Sequence, residues 1–90
     1  MVFSDVDTLL GELKQGKMII VMDDPGRENE GDFIMAAECV TPEAINFMAT
    51  HGRGLVCLPM SSDRAKKLNL SLMVPGAKYD NLGTKFTNSI

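Results

Sequence analysis

The sequence predicts a single domain that mixes α-helices with β-strands. Ninety residues fit one domain at most. Apolar residues recur at helical spacing in some segments, and in others they form short runs rich in β-branched residues. The chain is 44% hydrophobic and 23% charged, which is ordinary for a globular protein and argues against disorder. The core is expected to be modest, because a chain of this size buries only about 60 to 70% of its unfolded surface.

The first third of the chain predicts a helix followed by two strands. Ser4 is expected to cap the helix, with Asp7 completing a capping box, and Gly16 is expected to end it. Residues 17–22 predict a buried strand because they are apolar and β-branched. Residues 33–37 predict a second strand. The apolar face of the helix consists of Val6, Leu9, Leu10 and Leu13.

A second helix and a third strand are predicted in the middle of the chain. Thr41 supplies a capping hydroxyl, and Pro42 follows it at the first helical position. This helix is expected to end near residues 51–52, where a glycine follows a histidine. Residues 55–58 are continuously apolar and predict another short buried strand.

The last third predicts a helix, a loop and the beginning of a strand. Either Ser61 or Ser62 is expected to cap the helix. Residues 69–83 have the composition of a loop, and residues 85–90 that of a strand. The chain stops at Ile90 without a turn or a polar tail, so it is expected to be the front part of a longer protein.

Charge and cysteine usage narrow the possible functions. The net charge is -3 and no basic stripe is visible, so no nucleic-acid partner is expected. No apolar run is long enough to span a membrane, and residues 1–5 do not resemble a signal peptide. Cys39 and Cys57 match no zinc or redox spacing, which indicates buried free thiols in a reducing cytoplasm.

Residues 23–32, here called the acidic loop, are the first candidate site. They lie between two predicted strands, where a loop is held at its base and exposed at its tip. Carboxylates are the usual protein ligands of Mg²⁺. In an extended segment Glu28, Glu30 and Asp32 would share one face, with Arg27 opposite unless the loop bends. A solvated acidic hairpin is the alternative interpretation, and the spacing excludes a calcium EF-hand.

The sequence His51-Gly52-Arg53-Gly54 is the second candidate site. A histidine at a helix end, followed by two glycines, could line a pocket. A charged histidine also suits a helix C-terminus for structural reasons, and this interpretation is preferred. Thr87 fits strand propensity, although a phosphate contact would also explain it.

The acidic loop and the segments around it resemble a known enzyme family. The resemblance is to 3,4-dihydroxy-2-butanone-4-phosphate synthase, a lyase of riboflavin biosynthesis, and it rests mainly on residues 23–24, 27–32, 34–38, 40–49 and 51–58. It implies conversion of ribulose 5-phosphate to 3,4-dihydroxy-2-butanone 4-phosphate and formate with Mg²⁺, or Mn²⁺ in its place. It also implies a homodimer with active sites at the subunit interface. The implied fold is α+β, a mixed sheet with flanking helices, of which residues 1–90 would be the incomplete N-terminal portion of a single domain.

The same resemblance implies roles for individual residues. Glu28 would bind the metal and also touch substrate, while Arg27, Asp32 and Thr87 would contact substrate. The catalytic or supporting acids would be Glu30, Asp32 and Asp23.

The resemblance also implies that part of the site lies elsewhere. The family's second half supplies the histidine that completes the metal site, the phosphate-binding residues and a catalytic glutamate, so the isolated chain is expected to be inactive. In some relatives a GTP cyclohydrolase II domain follows the synthase. The alternatives are a non-catalytic metal- or phosphosugar-binding module and a structural fragment whose acidic loop is merely solvated.

Overall fold

The computed structural model describes residues 3–73 and 85–90 and combines helices with an antiparallel pair of strands. This combination confirms the predicted α+β class. The chain divides into two compact units, Met1–Leu58 and Pro59–Ile90, which are described in turn. No helix among the described residues is long and apolar enough to cross a membrane.

Helix α1 (Val6–Lys14) opens the first unit and is capped by Asp5 rather than Ser4. The Asp5 carboxylate accepts a hydrogen bond of 2.7 Å from the Thr8 N–H, and this bond lowers the pKa of Asp5. The prediction was wrong by one residue because Ser4 and Asp5 are both good capping residues, and the extended backbone at Asp5 decides between them. Gly16 ends the helix as predicted, with a left-handed φ of 80°.

Strands β1 (Ile19–Met22) and β2 (Gly31–Ile34) form an antiparallel hairpin around the acidic loop. The register pairs Ile19 with Ile34 and Met22 with Gly31. The first predicted strand is thus confirmed, although it begins two residues later than expected.

The second predicted strand, at residues 33–37, is displaced. Strand β2 begins at Gly31 and ends at Ile34, and Ala37–Cys39 forms a 3₁₀ turn instead. The alanines here have weak strand propensity, and the pairing with β1 determines the register.

Helix α2 (Pro42–Phe47) continues as a π-helical turn over Met48–Gly52. Thr41 caps it by accepting a 3.1 Å hydrogen bond from the Ala44 N–H, with Pro42 at the first position, so the predicted start and end are both confirmed. The Phe47 ring contacts Phe33 of β2 at a centroid distance of 5.5 Å, which joins the helix to the hairpin.

Helix α3 (Ser62–Lys67) lies in the second unit. Ser61 caps it by accepting a 3.2 Å hydrogen bond from the Arg64 N–H, which decides between the two predicted capping serines.

The predicted strand at residues 85–90 is reduced to one bridge. Leu72 pairs antiparallel with Thr87, and hydrogen bonds flank the bridge from Met73 N–H to the Phe86 carbonyl and from Asn88 N–H to the Ser71 carbonyl. Most of the loop predicted at residues 69–83 lies outside the described residues.

Burial departs most from expectation. No side chain among the described residues is fully buried. Residues 55–58, predicted as a buried strand, form no strand, and Leu55 is 79% exposed. The cysteines are free, but Cys39 is half-buried and Cys57 exposed, so the prediction of buried thiols was wrong. The reason is architectural: a two-stranded hairpin contacted by α1 and by the segment of α2 has too few layers to cover its apolar side chains fully.

Candidate functional site

Asp23 organises the acidic loop. Its Oδ1 accepts a 2.7 Å hydrogen bond from the Glu30 N–H. Its Oδ2 accepts one of 2.8 Å from the Glu28 N–H and one of 3.1 Å from the Arg27 guanidinium. The Asp23 N–H in turn donates to the Glu30 carbonyl at 3.1 Å. One carboxylate at the end of β1 therefore spans the loop and fixes its shape.

A tight turn follows, built on Asp24. The Asp24 carboxylate accepts a 2.7 Å hydrogen bond from the Gly26 N–H. The Asp24 carbonyl accepts from the N–H groups of Arg27, at 2.8 Å, and Asn29, at 3.3 Å. Asn29 has a φ of 54°, a conformation that asparagine tolerates better than most residues. The loop is thus bent rather than extended.

The bend moves Arg27 to the side of the carboxylates. Its guanidinium donates to Asp23 at 3.1 Å and to Glu28 Oε1 at 2.5 Å. Strand alternation would have placed Arg27 opposite Glu28, and the turn supplies the exception that the sequence left open. The arginine therefore bridges the loop-organising acid and the predicted metal ligand.

The same contacts stabilise the negative charge of Asp23 and the positive charge of Arg27. The hydrogen bond from the Glu30 N–H is the main cause that lowers the pKa of Asp23 below its ordinary value, with further bonds from Glu28 and Arg27. The hydrogen bond to Asp23 raises the pKa of Arg27, with Glu28 also contributing. Asp23 is therefore ionised and Arg27 charged at neutral pH.

Three other carboxylates keep oxygens available. Glu28 binds Arg27 through Oε1, and no described residue binds its Oε2. Glu30 and Asp32 are exposed, and their side chains have no hydrogen bond or ion pair to any residue that the structure describes. No three His, Cys, Asp or Glu side chains converge as metal ligands within residues 3–73 and 85–90. Mg²⁺ is often held by one or two carboxylates plus waters and substrate oxygens, so this loop fits a partial ligand set.

A depression of about 350 Å³ lies beside β2 in the first unit. Asp32 contributes to its lining from the acidic loop, and His51, Arg53 and Cys57 contribute from the segment after α2. The His51 ring packs against Phe47 at a centroid distance of 4.5 Å. Asp32 of the acidic loop and the second candidate site therefore line one concave surface, which sequence spacing alone did not indicate. The predicted metal ligand Glu28 is not part of this lining.

The backbone is strained where Arg53 lines this depression. Arg53 has φ 60° and ψ −178°, a combination that is essentially confined to glycine, and Gly54 follows with φ 74°. A residue held in such a region costs about 1 to 3 kcal/mol, and strain of this kind clusters at functional sites. The two flanking glycines were the available signal, but they did not identify the arginine as the strained residue.

Thr87 belongs to the second unit. It is half-buried, and its hydroxyl donates a 3.0 Å hydrogen bond to the Asn88 carbonyl. Its assignment as a substrate contact stays a prediction.

Comparison with known proteins identifies the family. The sequence model of the 3,4-dihydroxy-2-butanone 4-phosphate synthase family matches residues 7–90. The chain belongs to this family. It is 56% identical over 90 residues to the 3,4-dihydroxy-2-butanone 4-phosphate synthase of Pseudomonas aeruginosa, covering 100% of this chain and 24% of that protein. It is 54% identical over 88 residues to the riboflavin biosynthesis protein RibBA of Aquifex aeolicus, covering 98% of this chain and 21% of that protein.

Solved structures agree with the family assignment. A 3,4-dihydroxy-2-butanone 4-phosphate synthase crystallised with two magnesium ions superposes with a TM-score of 0.87 at 41% identity, covering 97% of this chain and 40% of that one. RibBX of A. baumannii, a two-domain synthase, gives a TM-score of 0.76 at 54% identity, covering 92% of this chain and 24% of that one. The chain thus spans about a quarter of the curated relatives it matches, 24% in the Pseudomonas case.

Proposed function

We propose that this chain supplies the acidic loop of a lyase that converts D-ribulose 5-phosphate to L-3,4-dihydroxy-2-butanone 4-phosphate and formate in riboflavin biosynthesis. The observation that carries the proposal is the loop itself, a bent array of carboxylates held by Asp23 inside the segment that matches the synthase family. Residues 1–90 would form the N-terminal portion of a single synthase domain. On this view the isolated chain is inactive.

Glu28 is the proposed metal ligand. Its Oε2 is not bound by any described residue, while Arg27 fixes the other oxygen and so orients the carboxylate. When bound, Mg²⁺ or Mn²⁺ supplies positive charge that stabilises the negative charge developing on substrate oxygens. The magnesium ions in the related crystal structure support this choice of ion.

Arg27, Glu28 and Asp32 are the proposed substrate contacts, and Thr87 stays a further contact that the family resemblance implies. Arg27 is half exposed, so it can donate to a substrate oxygen while it remains paired with Asp23. Asp32 lines the depression in which a small ligand would lie. A phosphosugar that carries several hydroxyl groups suits a site of exposed acceptors.

Glu30 and Asp32 are the carboxylates best suited to move protons. Both are exposed, and no described side chain occupies their oxygens. Asp23 has both oxygens engaged by three donors, so we assign it mainly to holding the loop. A proton-transfer role for Asp23 stays a prediction.

The assembly and location are also proposals. We place the enzyme in the cytoplasm, which the two free thiols support. We propose a homodimer with active sites at the interface, which the exposed apolar side chains of the hairpin support. No nucleic-acid or membrane partner is proposed.

Formate release from ribulose 5-phosphate tests the enzyme proposal. The chain is compared with an extended protein, in which it is joined to the region of the Pseudomonas aeruginosa relative that follows the matched residues. We expect Mg²⁺-dependent turnover in the extended protein alone. Glu28→Gln should reduce that turnover by about a hundredfold or more, because even an outer-shell partner of a metal is worth 10- to 100-fold. Glu43→Gln, an equivalent change in the first turn of α2, serves as the control and should leave turnover intact.

The second candidate is a metal- or phosphosugar-binding module without catalysis, for which the oxygens of Glu28, Glu30 and Asp32 that no described residue binds would suffice. It predicts that a folded extended protein binds Mg²⁺ through Glu28 but releases no formate. That result would reject the synthase proposal.

A further inference from the structure

The depression beside β2 contains a positive charge that the proposed mechanism does not use. Among the described residues that line it, Arg53 carries the one permanent positive charge. No described acid forms an ion pair with Arg53. Arg27 differs in this respect, because Asp23 and Glu28 already bind its guanidinium. Arg53 is therefore the guanidinium in the first unit that is available to an anionic ligand.

The backbone of Arg53 lies between two glycines, and each of them constrains the turn. A Cβ on Gly52 would lie 3.0 Å from the Phe33 ring, so the turn approaches β2 as closely as a glycine allows. Gly54 follows with φ 74°. Between them Arg53 holds a backbone conformation that glycine would adopt without strain. The conformation of the turn therefore does not explain an arginine at this position.

We propose that Arg53, with His51 beside it, forms an anion subsite that receives the phosphate group of a sugar phosphate. This inference rests on the proposed function, because it assigns the phosphate end of the proposed substrate to the turn at residues 52–54. The acidic loop carries five carboxylates against one arginine, so an approaching phosphate dianion needs an uncommitted positive charge. The planar guanidinium matches two phosphate oxygens at once. Arg53 would act in addition to the phosphate-binding residues that the family resemblance assigns to the second half.

Binding of inorganic phosphate to the 90-residue chain tests the subsite without requiring turnover. Amide NMR shifts are followed during the titration at constant ionic strength, because salt screens exposed charges. We expect the largest shifts at residues 51–57. Arg53→Gly should weaken binding about tenfold or more, because hydrogen bonds between charged groups are among the strongest in proteins. This variant is compatible with the local φ, so it is expected to fold.

Two further variants separate charge at this site from charge in general. Arg53→Lys keeps the positive charge and should retain part of the affinity. Arg64→Gln removes an arginine from α3, which does not line the depression, and should bind phosphate as the unmodified chain does. Equal losses in Arg53→Gly and Arg64→Gln, or no saturable phosphate binding by the unmodified chain, would overturn the proposal.

The outcome is distinguishable from that of the proposed function. If the extended protein releases formate and Arg53→Gly leaves its KM for ribulose 5-phosphate unchanged, the subsite is rejected and the synthase stands. If phosphate binds at Arg53 but a folded extended protein releases no formate, the synthase is rejected and an anion site remains.

Discussion

The acidic loop and residues 54–58 lie at opposite extremes of local organisation. In the acidic loop, Asp23 and Asp24 accept four hydrogen bonds through their carboxylates, all from groups within seven residues. In the part of the chain that the structure describes, no hydrogen bond involves residues 54–58. Leu55, Val56 and Leu58 are 79%, 52% and 58% exposed.

The difference follows from chemistry. Carboxylates and nearby N–H groups satisfy one another locally, so the acidic loop needs only its own sequence to acquire a shape. Residues 54–58 carry mostly apolar side chains, which gain stability only when distant parts of a protein cover them. The acidic loop is therefore ordered by its own hydrogen bonds, whereas residues 54–58 depend on contacts with residues outside their own segment.

The largest expected effect is that of truncating Leu55, which tests whether residues 54–58 depend on cover by other parts of the protein. In the 90-residue chain Leu55→Ala should change the free energy of unfolding by less than about 0.5 kcal/mol, as for most surface changes. In the extended protein the same change should cost about 2 to 5 kcal/mol, because a covered leucine leaves a cavity when truncated. Urea denaturation of the four proteins measures both values. Equal effects in the two backgrounds would show that residues 54–58 gain no cover.

Asp23→Ala should remove the hydrogen bonds that hold the acidic loop in its bent conformation. The N–H groups of Glu28 and Glu30 and the Arg27 guanidinium would lose their acceptor. We expect faster amide hydrogen exchange at Glu28 and Glu30, and in the extended protein about a 10- to 100-fold loss of formate release. Asp24→Ala, which removes one side-chain bond to Gly26, should have a smaller effect on both measurements. Similar effects from the two variants would contradict the central role of Asp23.

Acidification is expected to have a smaller effect on the acidic loop, through protonation of Asp23. The pKa of Asp23 is lowered in the folded chain from an ordinary value of 3.8, so its contribution is fully present above that pH. The contribution is lost as the pH falls through the lower folded value. The ¹³C shift of the Asp23 carboxyl carbon should therefore stay constant from neutral pH down to about pH 4 and change only below it. Asp23→Asn should abolish this acid transition, whereas a transition near pH 6 would indicate that another group controls the loop.

Local signals in the sequence were the most reliable. Thr41 with Pro42 correctly predicted the start of α2, and Gly16 the end of α1, because caps and left-handed glycines act within a few residues. The error at Ser4 has the same origin, since Asp5 beside it is an equally good cap. Burial was predicted poorly, because apolar composition shows what a segment prefers and not what covers it.

The sequence by itself determined the family, the acidic composition of the loop and the order of the three α-helices and the first hairpin. The tertiary structure decided that the loop bends, that Arg27 bridges Asp23 and Glu28, and that Asp32 and the segment after α2 line one depression. It also decided that residues 55–58 remain exposed. The physical reason for convergence and burial is range: composition and caps depend on neighbours in the chain, whereas convergence and burial depend on contacts between residues far apart in it. The bend of the acidic loop has a different reason, because it depends on short-range hydrogen bonds to Asp23 and Asp24 that strand alternation does not predict.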